Sequence, residues 1–132
     1  MSQTGIGIGN DLALLASLPN LKRLNLYSTS ISNRSLDALK DFASAEKITW
    51  FNIDKCLLTD GAIPKLAPLK NLEWLHLGRT ELTDFGLDNL AKLSTLKEVS
   101  ITNTNVTKEG VAKLQAVLSS CKINDNVDAP KE

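Results

Sequence analysis

The chain is poor in several residue types, and each shortage excludes something. Two cysteines in 132 residues are too few for a disulfide scaffold. Fifteen basic and fifteen acidic residues cancel, which argues against a surface built to neutralise a nucleic-acid backbone. No uncharged apolar run approaches the roughly 18 residues of a membrane span, and Met1 to Asn10 lacks the basic and apolar segments of a secretory signal. A protein without a membrane segment, in the cytoplasm, is the expectation. There are only six aromatic residues and one histidine. What is present fits one soluble domain: 42% hydrophobic, 23% charged, and 23 leucines.

The leucines recur in a pattern. Leu21, Leu24, Leu26, Thr29 and Ile31 share their spacing with Ile48, Phe51, Ile53, Cys56 and Leu58. The same spacing returns at Leu72, Leu75, Leu77, Thr80, Leu82 and at Leu96, Val99, Ile101, Thr104, Val106. After each such block, apolar residues step by three: Leu36, Leu39, Phe42; Ile63, Leu66, Leu69; Leu87, Leu90, Leu93; Val111, Leu114, Val117. Steps of two suit a strand with one buried face, and steps of three suit one face of a helix. Ser32, Thr59, Thr83 and Thr107 lie at the junctions as candidate helix caps. Asp60 and Asp84 follow, where the helix dipole favours a negative charge. Three residues after each hydroxyl stands a small residue, Ser35, Ala62, Gly86 or Gly110, which predicts close packing of the helix on the next coil.

These segments resemble the leucine-rich-repeat family, most closely over Leu72 to Asp84 and Leu96 to Thr107. The Thr-x-Leu-Thr-Asp-x-Gly-Leu form is similar to bacterial repeats of the ribonuclease-inhibitor-like group. The family's usual Asn or Cys at the ninth position is replaced by Thr29, Thr80 and Thr104, with Cys56 once. The resemblance implies an α/β fold: a right-handed solenoid, a short horseshoe with a parallel sheet on the concave face and helices on the convex face. One such unit cannot bury its apolar side alone, and stacked units share a core.

The expected organisation is a lead-in and partial repeat or helical cap over 1–20, and four repeats over 21–123 (21–47, 48–71, 72–95 and 96–123). A polar tail follows over 124–132. Leu12, Leu15 and Leu18 fit the helical part of an earlier unit, so the chain reads as starting mid-repeat, with either a helical cap or further repeats of a longer parent chain. Gly5, Gly7 and Gly9 read as a flexible lead-in. Ile123 falls 27 residues after Leu96, and the polar sequence beyond it predicts that no further strand forms.

Alternation also predicts what faces outward. If Leu24 and Leu26 point to the core, the opposite face carries four rows. They are Arg23, Trp50, Trp74, Glu98; Asn25, Asn52, His76, Ser100; Tyr27, Asp54, Gly78, Thr102; and, at the strand exits, Ser28, Lys55, Arg79, Asn103. Both tryptophans, the tyrosine and the histidine fall on this surface. Such side chains commonly anchor interfaces. The competing reading is that Trp50 and Trp74 stack on each other and on Arg23, merely covering the sheet. Four short strands make a patch of roughly 300 Å², below the ~800 Å² per partner of a standard interface.

The expected function is a non-catalytic module that binds a protein or peptide on the concave face. Tyr27, Trp50, Trp74 and His76 are the anchors, with Arg23, Asn52, Asp54, Lys55, Arg79 and Glu98 around them. A glycan or small-molecule binder using the Trp50/Trp74 platform, or a purely structural segment, are the alternatives. His76 has no nucleophile or second base nearby, so catalysis is not expected. The ligands zinc needs are not visible, and no cofactor is implied. Cys56 and Cys121 read as buried structural thiols.

Overall fold

The computed structural model describes residues 15–127 together with Leu12. The glycine-rich lead-in and residues 128–132 of the expected tail lie outside the described residues. Five strands, β1 (Arg23–Asn25), β2 (Trp50–Asn52), β3 (Trp74–His76), β4 (Glu98–Ser100) and β5 (Lys122–Asn124), form one parallel sheet in chain order. Each strand is three residues long, with its central residue facing inward. Leu24, Phe51, Leu75 and Val99 pair in register and are at most 1% exposed. A strand this short makes few ladder bonds, so inward packing, shared with the coils on either side, stabilises it. The architecture is the expected leucine-rich-repeat solenoid.

Between strands the chain returns through helical turns. The first two are 3₁₀ helices, Arg34–Asp41 and Asp60–Leu66, and the last two are α-helices, α1 (Asp84–Leu90) and α2 (Lys108–Val117). The step of three explains the first pair, because a 3₁₀ helix has three residues per turn and Leu36, Leu39, Ile63 and Leu66 share one buried stripe. In an α-helix a step of three drifts by about 60° each time. Hence Val117, expected on the apolar face of α2, is 60% exposed, while Leu114 and Leu118, four apart, are buried.

The junctions differ from expectation in an informative way. Thr83 and Thr107 do cap: their hydroxyls accept from the N–H groups of Phe85 (3.3 Å) and Gly110 (3.1 Å). Ser32 and Thr59 do not; the helix after Thr59 has no side-chain cap, and Ser32 hydrogen-bonds to Ser35 instead. Asp60 and Asp84 lie in the first helical turn, and their carboxylates bind the following coil. Asp60 accepts from the Thr83 N–H at 2.7 Å and from its hydroxyl, and Asp84 accepts from the Thr107 N–H at 2.8 Å and its hydroxyl at 2.5 Å. In the first coil Asn33 takes the part, accepting from the Thr59 N–H at 3.0 Å and donating to its hydroxyl at 2.6 Å. Three equivalent two-point bonds thus join four successive coils. They also bear on two of the small residues, Gly86 and Gly110. The helix closes on the preceding coil, not the next: a Cβ on Gly86 would press on Leu82 of its own coil and sit 2.6 Å from Asp60 Oδ1, and one on Gly110 would run into both carboxylate oxygens of Asp84.

The ninth-position threonines bond the turning backbone of their own coil. Thr80 donates to the Leu77 carbonyl and Thr104 to the Ile101 carbonyl, each at 2.8 Å. Cys56 instead reaches the Leu26 carbonyl of the preceding coil at 3.1 Å.

At the N-terminal side Leu12 and Leu15 join the core, 1% and 6% exposed, while Leu18 is 39% exposed. At the other end the expectation that the sheet stops at four strands fails. Ile123 pairs with Val99, a spacing of 24 residues rather than 27, and β5 extends to Asn124. A single inward apolar residue suffices for an edge strand. The polar residues around it are used: Asn124 donates to Glu98 Oε2 at 2.8 Å, and Asn126 donates to Asn103 Oδ1 at 2.8 Å.

Gly110→Ala should therefore destabilise the fold by about 1–3 kcal/mol through overpacking against Asp84, although alanine normally favours a helix over glycine. In an Asp84→Ala background the same change should be neutral or stabilising. Urea unfolding of the four proteins of this cycle measures the difference.

Candidate functional site

The register places the outward side chains in rows without exception over the four repeats. Arg23 lies beside Trp50, Trp50 beside Trp74, and Trp74 beside Glu98; Asn52 lies beside His76. Alternation within each strand sends these residues to the face opposite the buried row. The structure thus brings Arg23, Tyr27, Trp50, Asn52, Asp54, Trp74, His76 and Glu98 onto the concave face, with Lys55 and Arg79 at the strand exits. Tyr27 is 51% exposed. Trp50, Trp74, Asn52, His76 and Glu98 are half-buried.

The two indoles do not pair with each other among the ring contacts of the described residues. The guanidinium of Arg23 lies 4.3 Å from the centre of the Trp50 ring, and the His76 ring tilts against Trp50 at 5.4 Å and 55°. Trp74 carries the Lys97 ammonium at 5.6 Å, and that ammonium also pairs with Glu73 at 3.3 Å. Each tryptophan thus has a cation, rather than the other indole, against its ring. Lys97 was not among the sequence candidates. Only the strand-to-strand stagger of a long side chain brings it over the ring, and alternation alone carries no such information.

The third row is tied down more firmly. The Asp54 carboxylate accepts the Gly78 N–H at 2.6 Å. Burial pushes the Asp54 carboxyl above the usual aspartate range, against the opposing pull of that bond and of the His76 and Arg79 charges. Asn25 and Asn52 spend an oxygen on the backbone two residues on, accepting from Tyr27 (3.1 Å) and Asp54 (3.0 Å). The fourth row, Ser28, Lys55, Arg79 and Asn103, adopts the left-handed conformation at every position, with φ between 56° and 60°. For a residue with a Cβ this costs on the order of 1 kcal/mol.

Cys56 and Cys121 are free, buried thiols, 5% and 4% exposed, and burial raises the pKa of both. Such thiols are poor nucleophiles. Among the described residues no group of three or more His, Cys, Asp or Glu side chains is placed to hold a metal ion, and no helix is long and apolar enough to cross a membrane.

One surface lay outside the sequence reading altogether. On the convex side a groove of about 420 Å³ runs between α1 and α2, with Leu87, Ala91 and Leu114 in its lining and Phe85 and Val117 among its walls. Phe85 is 81% exposed. Its position in the first turn of α1, beside the capping threonine, gives the only hint of this: the repeat needs no apolar residue there.

No protein-family model matches the chain, and no curated protein matches it. Among solved structures, an internalin from Listeria monocytogenes is similar, with a TM-score of 0.53 and 16% identity. The match covers 85% of this chain and 36% of the internalin chain, so this chain spans about a third of the length of that solved chain. At this identity the likeness bears on the fold, a leucine-rich-repeat solenoid with a parallel sheet, and not on a subgroup within it.

The raised carboxyl of Asp54 has a consequence for stability. A carboxyl with a higher pKa in the folded than in the unfolded chain favours folding most when protonated, and that contribution is lost as pH rises through the folded-state pKa. Asp54→Asn keeps an oxygen to accept the Gly78 N–H and removes the charge. It should raise the melting temperature at pH 7 relative to the parent, and the gain should vanish near pH 3. A gain that is equal at both pH values would contradict the assignment.

Proposed function

We propose that this chain is a non-catalytic protein-interaction module that takes a protein or peptide on its concave sheet face. The observation that carries the reading is the concentration of both tryptophans, the tyrosine and the histidine on one rigid surface, with the indoles braced by Arg23 and Lys97. Side chains already held in place lose little freedom on binding, so more of the contact energy remains as affinity. Trp50, Trp74, Tyr27 and His76 are the anchors. Arg23, Asn52, Asp54, Lys55, Arg79 and Glu98 orient the partner and select it by charge.

The small size of the sheet limits affinity unless the partner also touches flanking loops. Further repeats of a longer parent chain would enlarge the surface in the same way. A glycan platform is the weaker reading. A sugar stacks on a bare ring face, and here each indole has one face occupied by a cation at 4.3 Å or 5.6 Å.

The test compares Trp50→Ala/Trp74→Ala with Phe85→Ala, which alters the convex side only. Both variants should fold, as judged by circular dichroism and melting. The double variant should lose at least about 2 kcal/mol of binding to a partner captured by the parent chain, roughly thirtyfold in Kd. Phe85→Ala should bind as the parent does. Equal capture by all three proteins would reject the concave face as the site, and a response of tryptophan fluorescence to sugars alone would favour the glycan reading.

A further inference from the structure

The left-handed row at the strand exits is chemically uneven. Glycine, or less often asparagine, takes this conformation without the strain a Cβ brings, and asparagine is used once, at Asn103. At the two central positions stand the long cationic side chains of Lys55 and Arg79, with φ of 60° and 57°. Their backbones are pinned: the Lys55 N–H donates to the Gly78 carbonyl and the Arg79 N–H to the Thr102 carbonyl, each at 2.9 Å. Parallel strands lie about 4.8 Å apart, so the two side chains leave the sheet side by side from neighbouring coils. Both are exposed, and neither forms an ion pair among the described residues. Two opposing charges share the neighbourhood: Asp54, which accepts the Gly78 N–H and attracts Arg79, and Glu81 in the lining of the groove described next. No carboxylate pairs directly with either cation among the described residues, so both are available to an incoming anion.

The cations also border a groove. It has a volume of about 600 Å³ and runs along the stacking direction, across the second to fourth repeats. Lys55, Arg79 and Asn103 form its concave bank, and Leu57, Glu81 and Asn105 its convex bank. Leu57 is 68% exposed. The groove therefore offers two exposed cations on anchored backbones, an apolar contact at Leu57, and carboxamides at its far end.

We propose that this groove binds an extended acidic peptide segment of a protein partner, its carboxylates set against Lys55 and Arg79 and an apolar side chain against Leu57. Side chains of an extended peptide alternate, so carboxylates at every second residue meet the cations while those between them turn to the other bank. The inference deepens the protein-binding reading above, in which Lys55 and Arg79 are rim residues. It does not require the tryptophans.

The probe is a five-residue peptide of alternating glutamate and leucine, titrated at low salt into the full chain labelled with nitrogen-15. A lysine–leucine peptide serves as control. Saturable amide shifts centred on residues 55, 57, 79, 81 and 103 are expected with the acidic peptide only, with affinity falling at least tenfold at 0.5 M salt. Lys55→Gly/Arg79→Gly should weaken binding at least tenfold while leaving the melting temperature unchanged or raised, because glycine relieves the left-handed backbone. A structural role would instead lower it. Should that variant unfold, Lys55→Gln/Arg79→Gln gives the same reading. Absent or scattered shifts, an equal response to the lysine peptide, or undiminished binding by the charge-neutral variants would overturn the proposal. The same titration on Trp50→Ala/Trp74→Ala separates the two readings: retained groove shifts support the groove even where the concave face fails.

Discussion

The inward row of the sheet, Leu24, Phe51, Leu75 and Val99, is the constraint on which the rest depends. No coil can seal its own apolar side, so each of these residues is buried only because the coils beside it are in register. A slip of one residue would turn the apolar row to solvent and the polar rows inward. With strands of three residues there is no slack to absorb such an error. The same packing that holds the core therefore fixes where Trp50, Trp74 and His76 project, and the binding surface inherits its rigidity from a feature on the opposite side of the sheet.

Register is reinforced at the convex entry by the bonds from Asn33, Asp60 and Asp84 to the threonines of the following coils. These bonds satisfy donors at a helix start, where backbone N–H groups otherwise lack partners. They also require that the residue packed against each carboxylate be small, which ties the choice of Gly86 and Gly110 to a residue one coil earlier. The ion pairs Lys65–Asp37, Lys97–Glu73 and Lys113–Asp88 likewise join consecutive coils, but they are exposed and contribute little individually.

The solenoid and its outward rows were legible in the sequence because both follow from periodicity, which reports burial directly. The step of two marked all four strands it was applied to. What escaped reading depended on reach or on a balance of small terms. Lys97 covers Trp74 through a side chain too long for alternation to place. The carboxylate of Asp84 suits a helix dipole and an inter-coil bond equally well, and only coordinates distinguish them. A step of three did not separate a 3₁₀ turn from an α-helix, hence the exposed Val117. The strand at Ile123 was missed because the last coil is closed by side-chain bonds of Asn124 and Asn126 rather than by an apolar pattern.

Side-chain hydrogen bonds that cross between coils join positions 23 to 30 apart in sequence, as in Asp60–Thr83 and Cys56–Leu26. Each of these contacts closes a loop of about one repeat. The entropy of bringing partners together is the same small increment at each step, so folding can begin at any adjacent pair and spread outward. A coil's stability therefore depends mainly on the coils it touches, and the loss of one inter-coil bond is felt first by the two coils it joins.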